Sequence, residues 1–370
     1  MPDERPDAAR DRAFMRRALD LAGRGWGWTA PNPMVGAVVV RDGVVVGEGW
    51  HARFGEAHAE VAALRAAGDR ARGATVYVTL EPCDHEGKTP PCTRALLEAG
   101  VARVVAAVRD PSPVARGGLE TLAAGGVAVD AGVLESEARE LNAPFFHALA
   151  TPRPWVTLKL AVSVDGAMAD AWGRSRWITG REARAEVHRL RAGHDAVAVG
   201  IGTALADDPA LTVRDAPPPR VPPRRVVFDR GARLPLDSVL ARTALETPVA
   251  VVASGPPPAR AEALRAAGVE VIDAPTLGEG LVALRAAGVR SLLVEGGPRL
   301  AGAILADALA DRLIIFQAPV LLGAGALSAF AHLPPAEVGH AERLRVLARE
   351  RFGDDLMTVY APARAECSPG

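Results

Sequence analysis

Two neighbouring segments decide the fold of the first half: H-A-E-V-A-A-L at residues 58–64 and T-L-E-P-C-D-H-E-G-K-T-P-P-C at residues 79–92. His58 opens a run with helical spacing, and Cys83 and Cys92 follow the strand-like T-V-Y-V at residues 75–78. One imidazole and two thiolates can form a zinc site with three protein ligands and a fourth position open for water. This ligand count is typical of a catalytic zinc, because a structural zinc normally has four protein ligands.

Glu60, two residues after His58, is predicted to carry protons at this site. The order H-x-E followed by P-C is typical of zinc-dependent base deaminases, in which the glutamate is not a ligand. Zinc lowers the pKa of bound water from about 15.7 to about 7, so that hydroxide can attack an amine-bearing ring carbon at neutral pH. Glu60 would pass the proton of the water to the ring nitrogen and then to the departing ammonia. The alternatives are a structural zinc knuckle or two buried thiols.

The second cysteine departs from the usual deaminase spacing. Eight residues separate Cys83 from Cys92, where a generic deaminase has C-x-x-C. The inserted D-H-E-G-K-T-P-P is polar and carries His85 and Lys88. These two side chains could reach an anionic part of a substrate.

Length and composition predict a globular protein of two domains that acts on small molecules. The chain has 370 residues, of which 49% are hydrophobic and 24% charged. A net charge of −1 gives no overall reason to bind nucleic acid. The three cysteines, including Cys367 in the tail, predict no disulfide framework, and the charged N-terminus lacks a signal-peptide core. These features predict a cytoplasmic protein, and no apolar run is long enough to span a membrane.

A helix over residues 12–22 and a hairpin with its turn at Asp42-Gly43 are predicted before the first of the two segments. Asn32, between two prolines, could read the edge of a base or simply form a turn. His51 follows the second strand of the hairpin and could be a substrate contact or a surface histidine.

A recurring unit predicts α/β architecture through both halves. An apolar helix, a glycine stop and a β-branched strand surround Gly100, Gly268 and Gly288, with a looser copy at residues 125–126. The T-P-R-P-W stretch predicts a linker at residues 150–154. We therefore expect one domain over residues 1–149 and a second over residues 150–370.

The second half carries weaker motifs. No G-x-G-x-x-G follows a predicted strand, which disfavours a Rossmann domain. In V-E-G-G-P-R-L-A-G a strand is predicted to end at Glu295 and a helix to follow, and a helix start of this kind suits a phosphate. Arg214 could clamp a phosphate from the loop that it shares with Asp207 and Asp208, or the loop could simply be solvated.

With these residues in hand, the chain resembles the bifunctional riboflavin-biosynthesis deaminase/reductase family from about residue 12 to about residue 360. The resemblance rests on long matching words, which are T-A-P-N-P-M-V-G-A-V-V-V, H-A-E-V-A-A-L, G-A-T-V-Y-V-T-L-E-P-C, G-K-T-P-P-C, K-L-A-V-S-V-D-G, S-R-W-I-T-G and A-D-D-P-A-L-T-V-R. No generic deaminase carries the last three.

The resemblance implies a cytidine-deaminase-like three-layer α/β/α domain followed by a dihydrofolate-reductase-like α/β domain. The first would remove the ring amine of 2,5-diamino-6-(5-phosphoribosylamino)pyrimidin-4(3H)-one, with Zn²⁺ on His58, Cys83 and Cys92 and with Glu60 as the proton carrier. The second would use NADPH to reduce the ribosyl chain to ribityl. Pairing of the reductase halves in the family implies a homo-oligomer, and glycine-rich α/β edges also need cover.

The resemblance also implies contact residues. Substrate contacts in the deaminase would be Asn32, His51, His85 and Lys88. In the reductase, the implied substrate contacts are Ser175, Arg191, Leu211, Arg214 and Glu295. The implied NADPH contacts are Ala161, Trp177, Thr203, Asp207 and the seven residues Gly297, Pro298, Arg299, Leu300, Ala301, Gly302 and Ala303. Lys159 and Asp165 lie in one of the matching words, without an implied role.

Three positions depart from the family pattern. Asp84 replaces the usual serine after the first cysteine, where a carboxylate beside a phosphate pocket could weaken substrate binding. Ser112 replaces an asparagine in a loop that is one residue shorter. Arg230 follows Asp229 where the family has a serine, and we expect it to reach the 2′-phosphate of NADPH.

Other functions fit parts of the sequence. A nucleoside or tRNA deaminase with an unrelated C-terminal module would show binding to tRNA, which the near-neutral charge disfavours. A zinc-stabilised binding protein would not need Glu60. A chain with only one active half would also fit, because departures fall in both halves.

Overall fold

The first sheet of the protein begins with the hairpin predicted at Asp42-Gly43. The structure is a computed structural model, and it describes residues 6–87 and 90–362. Arg41 pairs with Val44, and both turn residues have positive φ, 52° and 76°, as a tight hairpin turn requires. The predicted helix is also confirmed, and it begins earlier, at Pro6. The chain divides into two units, Met1–Ala150 and Thr151–Gly370.

Unit 1 is built on one five-stranded sheet in the order β2-β1-β3-β4-β5. Its strands are β1 (Gly36–Arg41), β2 (Val44–Trp50), β3 (Thr75–Val78), β4 (Arg103–Ala106) and β5 (Ala128–Ala131). Strand β1 is antiparallel to β2 and to β3, and β3, β4 and β5 are parallel to one another. Parallel pairing needs crossover helices, which the glycine-stopped units supply.

Six α-helices among the described residues cover both faces of this sheet, namely α1 (Pro6–Ala22), α2 (Ala59–Ala67), α3 (Cys92–Ala99), α4 (Gly118–Ala124), α5 (Glu135–Leu141) and α6 (Ala143–Ala150). One core packs α2, α3 and α4 against one face of the sheet. A second core packs α1 and α5 against the other face. The predicted three-layer α/β/α arrangement is confirmed. Gly100 ends α3 in the left-handed conformation, as its place before a strand predicted.

Unit 2 is built on a nine-stranded sheet in the order β11-β10-β9-β8-β12-β6-β13-β16-β15. Its strands are β6 (Trp155–Val162), β8 (Ala196–Gly200), β9 (Arg224–Phe228), β10 (Val249–Ala253), β11 (Glu270–Asp273), β12 (Ser291–Val294), β13 (Arg312–Gln317), β15 (Leu344–Phe352) and β16 (Asp355–Pro362). All pairs from β11 to β13 are parallel, and β16 and β15 are antiparallel additions. Two short strands, β7 (Ala167–Ala169) and β14 (Leu327–Ser328), pair separately.

The helices of unit 2 are α7 (Arg181–Ala192), α8 (Ile201–Asp207), α9 (Val239–Arg242), α10 (Pro258–Ala266), α11 (Leu277–Ala286) and α12 (Pro298–Ala306). Helices α7 to α10 pack in one core, and α11 and α12 pack in the core on the opposite face. Because the strands are parallel, their carboxyl ends meet along one edge, where an open α/β sheet binds its ligands. None of the helices in the described part of the chain is both long enough and apolar enough to cross a membrane.

Candidate functional site

Three side chains meet beside the sheet of unit 1. His58 immediately precedes α2, Cys92 is the first residue of α3, and Cys83 lies in the loop after β3. His58 Nδ1 lies 3.5 Å from Cys83 Sγ and 3.3 Å from Cys92 Sγ, and the three donor atoms all lie within 4.8 Å of one another. The structure therefore brings together the three predicted ligands, which we call the His-Cys-Cys site.

The dimensions of the His-Cys-Cys site suit zinc. Tetrahedral zinc, with bonds of about 2.3 Å to sulfur and about 2.05 Å to nitrogen, holds a sulfur and a nitrogen about 3.5 Å apart. The two observed sulfur–nitrogen separations are 3.5 and 3.3 Å. His58, Cys83 and Cys92 would hold Zn²⁺ with little rearrangement and leave its fourth position open.

The protonation of the two thiols also favours a metal. The Cys92 thiol donates to Cys83, and this hydrogen bond lowers the pKa of the Cys83 thiol well below its ordinary value, aided by His58. The same hydrogen bond, together with burial, raises the pKa of the Cys92 thiol. Two neighbouring sulfurs that share one proton accommodate a cation readily, because thiolates are the ligating form.

Glu60 lies in the first turn of α2, is only 3% exposed and lies beside the Cys92 thiol. Burial raises the pKa of its carboxyl to about 7, although the charge of His58 acts in the opposite direction. A carboxyl that titrates near neutrality can both accept and release a proton, as a general acid–base group must. Its contacts with Cys92 place it beside the His-Cys-Cys site without making it a ligand.

Asn32 and His51 lie together at this site. Asn32 Nδ2 is 3.3 Å from His51 Nε2, and His51 Nδ1 is 3.2 Å from the carbonyl oxygen of Ala57. Burial lowers the pKa of His51, so the neutral ring donates from Nδ1 and accepts at Nε2. The rings of His51 and His58 are in edge contact, with centroids 5.4 Å apart. His51 therefore fixes the Asn32 amide next to the three ligands.

The loop between the two cysteines is tied down by Asp84. Its two carboxylate oxygens accept hydrogen bonds from the hydroxyls of Thr93 and Thr121, each at 2.6 Å. Asp84 thus joins the loop to α3 and α4, and its oxygens are engaged there. His85 has a buried Nδ1 without a hydrogen-bond partner. Lys88 lies outside the described residues.

Glu81 is a buried carboxylate that sequence reasoning left without a role. It accepts hydrogen bonds from the backbone amides of Asp110, Gly117 and Leu119 at 2.9, 3.2 and 3.1 Å. It thereby fixes both ends of the loop that contains Ser112. A Cβ on Gly118 would lie 1.8 Å from the carbonyl oxygen of Pro82, so only glycine lets α4 approach the turn before Cys83. The only hint of this role in the sequence is that Glu81 is a charged residue directly after a strand-like apolar run.

A cleft of about 1670 Å³ opens at the carboxyl ends of the parallel strands in unit 2. All five predicted substrate contacts of this half line it, namely Ser175, Arg191, Leu211, Arg214 and Glu295. The predicted cofactor contacts that line it are Ala161, Trp177, Thr203, Asp207, Gly297, Pro298, Arg299, Leu300 and Ala303. Ala301 is fully buried, and Gly302 packs against the backbone of His332, so neither faces this second-unit cleft.

A buried ion pair lines the second-unit cleft. Arg191 donates to Glu295 from Nε at 2.5 Å and from Nη2 at 3.0 Å, and both side chains are only 12% exposed. Burial by itself would raise the pKa of Glu295, but the Arg191 charge and hydrogen bonds outweigh it and lower that pKa to about 2. Lys159 lies on the neighbouring strand, since Val294 of β12 pairs with Leu158 of β6. Burial lowers the pKa of Lys159, partly opposed by Glu295.

The start of α12 provides a backbone surface suited to a dinucleotide phosphate. Gly297 precedes the helix, and no side chain caps its first amides. A Cβ on Gly297 would lie 3.2 Å from Thr203 Oγ1, so glycine keeps this surface open. Helix starts of this kind bind phosphate through free N–H groups and the helix dipole. The residues present therefore fit NADPH.

Two residues in unit 2, His188 and Asp165, had no role predicted from the sequence and orient loops through hydrogen bonds. His188 Nδ1 accepts a hydrogen bond from the backbone amide of Arg214 at 3.1 Å, which orients the loop carrying that arginine. Asp165 accepts from the amides of Leu322 and Gly323 at 3.2 and 2.8 Å, and these bonds join the turn after β6 to a distant loop. Both contacts link residues far apart in the chain, so no local motif marks them.

Family comparisons cover both units. Residues 8–108 match the family described as the cytidine and deoxycytidylate deaminase zinc-binding region, and residues 154–358 match the RibD C-terminal domain. The chain is 42% identical to the riboflavin biosynthesis protein RibD of Aquifex aeolicus over 353 residues, which is 95% of this chain and 98% of that protein. It is 44% identical to RibD of Escherichia coli over 333 residues, covering 85% and 89% of the two chains.

Solved structures agree with these matches. RibD of Acinetobacter baumannii superposes with a TM-score of 0.84 at 38% identity, over 96% of this chain and 100% of that chain. The diaminohydroxyphosphoribosylaminopyrimidine deaminase/5-amino-6-(5-phosphoribosylamino)uracil reductase of Thermotoga maritima gives a TM-score of 0.84 at 36% identity, with the same coverage.

Proposed function

Because this chain belongs to the RibD family of riboflavin biosynthesis proteins, we propose that the His-Cys-Cys site performs its deamination and the second-unit cleft its reduction. The protein is a bifunctional enzyme, a zinc-dependent deaminase and an NADPH-dependent reductase. The proposal assigns the first activity to residues 1–149 and the second to residues 150–370. It is carried by one observation: each unit holds its own set of functional side chains, and no described residue of either set lies in the other unit.

In the deaminase, His58, Cys83 and Cys92 hold zinc, which when bound supplies a hydroxide at neutral pH. Glu60 takes the proton of the water and delivers it first to the ring nitrogen and then to the departing ammonia. Asn32, fixed by His51, binds the edge of the diaminopyrimidinone ring. His85 lies in the loop that Asp84 anchors and binds the 5′-phosphate in this proposal. Lys88, outside the described residues, is assigned to the same phosphate on the family resemblance.

In the reductase, the C1′–O4′ bond of the ribosyl group breaks, O4′ gains a proton and C1′ gains the hydride that NADPH supplies. Lys159 is the proposed proton donor, because burial lowers its pKa and Glu295 lies at the end of the adjacent strand. Arg191 holds Glu295 in place, Arg214 binds the substrate phosphate, and Ser175 and the buried Leu211 contact the substrate from the lining of the cleft. The cofactor lies along Ala161, Trp177, Thr203, Asp207 and the start of α12.

Zinc removal should separate the two activities. Dialysis against a chelator is expected to stop the exchange of amine for oxygen, because the bound zinc supplies the hydroxide for that step. Reduction of the already deaminated substrate with NADPH should continue. Mass spectrometry of the products reads both steps, and added Zn²⁺ should restore the first.

Two outcomes of this experiment would contradict the assignment of the two activities to the two sites. Loss of reduction on zinc removal would contradict the assignment of reduction to residues 150–370 alone. Unaltered deamination in chelated protein whose zinc content has fallen to zero would contradict the His-Cys-Cys assignment. A Cys92→Ser variant provides the matching genetic test, and it should purify without zinc and without deaminase activity.

The enzyme is also proposed to form homo-oligomers in the cytoplasm. Strand β15 forms one edge of the nine-stranded sheet, and its Leu344 and Val346 are 38% and 43% exposed. An exposed edge of this kind is suited to pairing with a second copy. Zinc bound through thiolates is compatible with a reducing compartment. Light scattering should give a multiple of 38.5 kDa, and a mass equal to the single chain would contradict the oligomer.

A further inference from the structure

The arginines that line the second-unit cleft divide into partnered and unpartnered side chains. Four are partnered, as Arg191 with Glu295, Arg233 with Asp229, Arg176 with Asp207, and Arg184 with the Thr179 carbonyl and the Trp177 ring. The other three, Arg214, Arg230 and Arg299, are exposed, and their guanidinium groups make no hydrogen bond or ion pair with any described residue. Unpaired arginines in a cleft indicate anionic ligand groups.

The two ligands of the reductase reaction, the substrate and NADPH, bring three separate phosphate-bearing groups into this cleft. They are the 5′-phosphate of the substrate, the pyrophosphate of NADPH and its 2′-phosphate. Arg214 belongs with the substrate, because His188 orients its backbone beside the Arg191–Glu295 pair. Arg299 is in the first turn of α12, beside the proposed pyrophosphate surface. Arg230 therefore remains for the third group.

The sheet places Arg230 at the far end of the proposed cofactor path. The pyrophosphate surface follows β12, and β8, β9 and β10 continue the sheet from there in that order. Arg230 follows β9, and Ser254 follows β10 next to it, with the Ser254 amide donating to the Arg230 carbonyl at 3.0 Å. Apolar side chains line the same end of the cleft and could enclose an adenine, namely Phe228, Val252, Ala274 and Leu277.

The carboxylates at this end make hydrogen bonds within the protein. An enzyme that uses NADH typically reads the ribose 2′-hydroxyl with an acidic residue, whereas an NADPH enzyme places an arginine there. Asp229 is the acidic candidate, but it is buried and accepts from the Leu234 amide at 2.9 Å and from Arg233 at 3.4 Å. Asp273 accepts from the Gly255 amide at 2.8 Å. Asp229 is therefore not free to bind a ribose hydroxyl, and the exposed Asp273 ends β11 rather than the strand that precedes Arg230.

We propose that Arg230, supported by the Ser254 hydroxyl, binds the 2′-phosphate of NADPH and makes the reductase select NADPH over NADH. This inference rests on the cofactor placement proposed above. It assigns cofactor specificity to a position at which this chain departs from the pattern of the family it resembles.

Calorimetric titration of the full, zinc-loaded chain tests the proposal without turnover. NADPH and NADH are titrated into the wild type and into Arg230→Gln, Arg233→Gln and Arg299→Gln. In Arg230→Gln the Kd for NADPH is expected to rise roughly 10- to 100-fold, as for a lost charge-assisted contact, while the Kd for NADH stays unchanged. 2′,5′-ADP and 5′-ADP, as fragments with and without the 2′-phosphate, should show the same pattern.

The two control variants give the result its meaning. Arg299→Gln should raise the Kd for NADPH and the Kd for NADH alike, because both cofactors carry the pyrophosphate. Arg233→Gln should leave the ratio of the two Kd values unchanged. If Arg230→Gln still binds NADPH in preference to NADH as strongly as the wild type does, the role of Arg230 is wrong. It is also wrong if Arg233→Gln loses that preference instead. Either result would leave the cofactor placement standing. A wild type that binds NADH as well as NADPH would overturn the cofactor placement too. An unchanged melting temperature would show that Arg230→Gln is folded.

Discussion

Replacing Glu60 with glutamine is expected to lower the rate of deamination roughly 10²- to 10⁴-fold while zinc stays bound, which is the usual contribution of a positioned proton carrier. Glutamine has the size of glutamate and can keep the contact with Cys92, but it cannot accept a proton from water or deliver one to ammonia. The three metal ligands are untouched. Zinc content and ammonia release, measured on the same preparation, separate the loss of chemistry from a loss of metal.

A matched control is available four residues earlier. Glu56 is an exposed carboxylate ahead of the same helix, and Glu56→Gln should deaminate at the wild-type rate. Reduction of the deaminated substrate should be normal in both variants, because Glu60 lies in the other unit. Deamination that persists in Glu60→Gln would show that another group carries the proton, and a binding protein without catalysis would be unaffected by either change.

Replacing Glu295 with glutamine is expected to lower the free energy of unfolding of the reductase unit by about 3–5 kcal/mol and to abolish most of the reduction. The substitution leaves the Arg191 guanidinium, only 12% exposed, without its counter-charge. It also removes the carboxylate that favours the charged form of Lys159. Thermal unfolding read by calorimetry should show a lower transition, and NADPH oxidation should report the activity.

Two further variants separate the loss of stability from the loss of reduction. Arg191→Gln combined with Glu295→Gln should recover part of the lost stability, because no unpaired charge then stays buried. Lys159→Met should lose reduction without a comparable loss of stability, since it removes the proposed proton donor and a costly buried charge together. If Lys159→Met reduces substrate at the wild-type rate, another group supplies the proton.

The stabilisation from Glu295 should also depend on pH. Its pKa is about 2 in the folded protein, below the ordinary value of about 4.3. Its contribution is therefore complete above about pH 4.3 and is lost as the pH falls toward 2. The difference in unfolding free energy between the wild type and Glu295→Gln is expected to be largest at neutral pH and to shrink below pH 4.

The parts of the deaminase site that sequence could predict are those that depend on local pattern. His58 and Glu60 are fixed by one helix start, and the two cysteines flank one loop. The hydrogen bonds of Glu81 reach amides 29 to 38 residues away, so their partners could not be named in advance. The same holds for Asp84, whose expected conflict with a phosphate pocket is resolved by two threonine hydroxyls that sequence does not place.

The reductase site was harder to derive from residues alone. Arg191 and Glu295 are separated by 104 positions, and only the pairing of β12 with β8 and β6 brings the two strand ends together. Individual residues in G-G-P-R-L-A-G could be placed in a helix start but not oriented. This is why Ala301 and Gly302, implied as cofactor contacts, are found inside the helix packing.

Two hydrophobic cores serve each unit of a single chain, so each active site has its own supporting framework. One round of translation therefore delivers both catalysts in equal number, and one act of proteolytic turnover of the whole chain removes both. Gene expression can raise or lower the flux through the two steps together but cannot change their proportion. The balance between making the deaminated intermediate and consuming it is then set by the turnover numbers and affinities of the two sites.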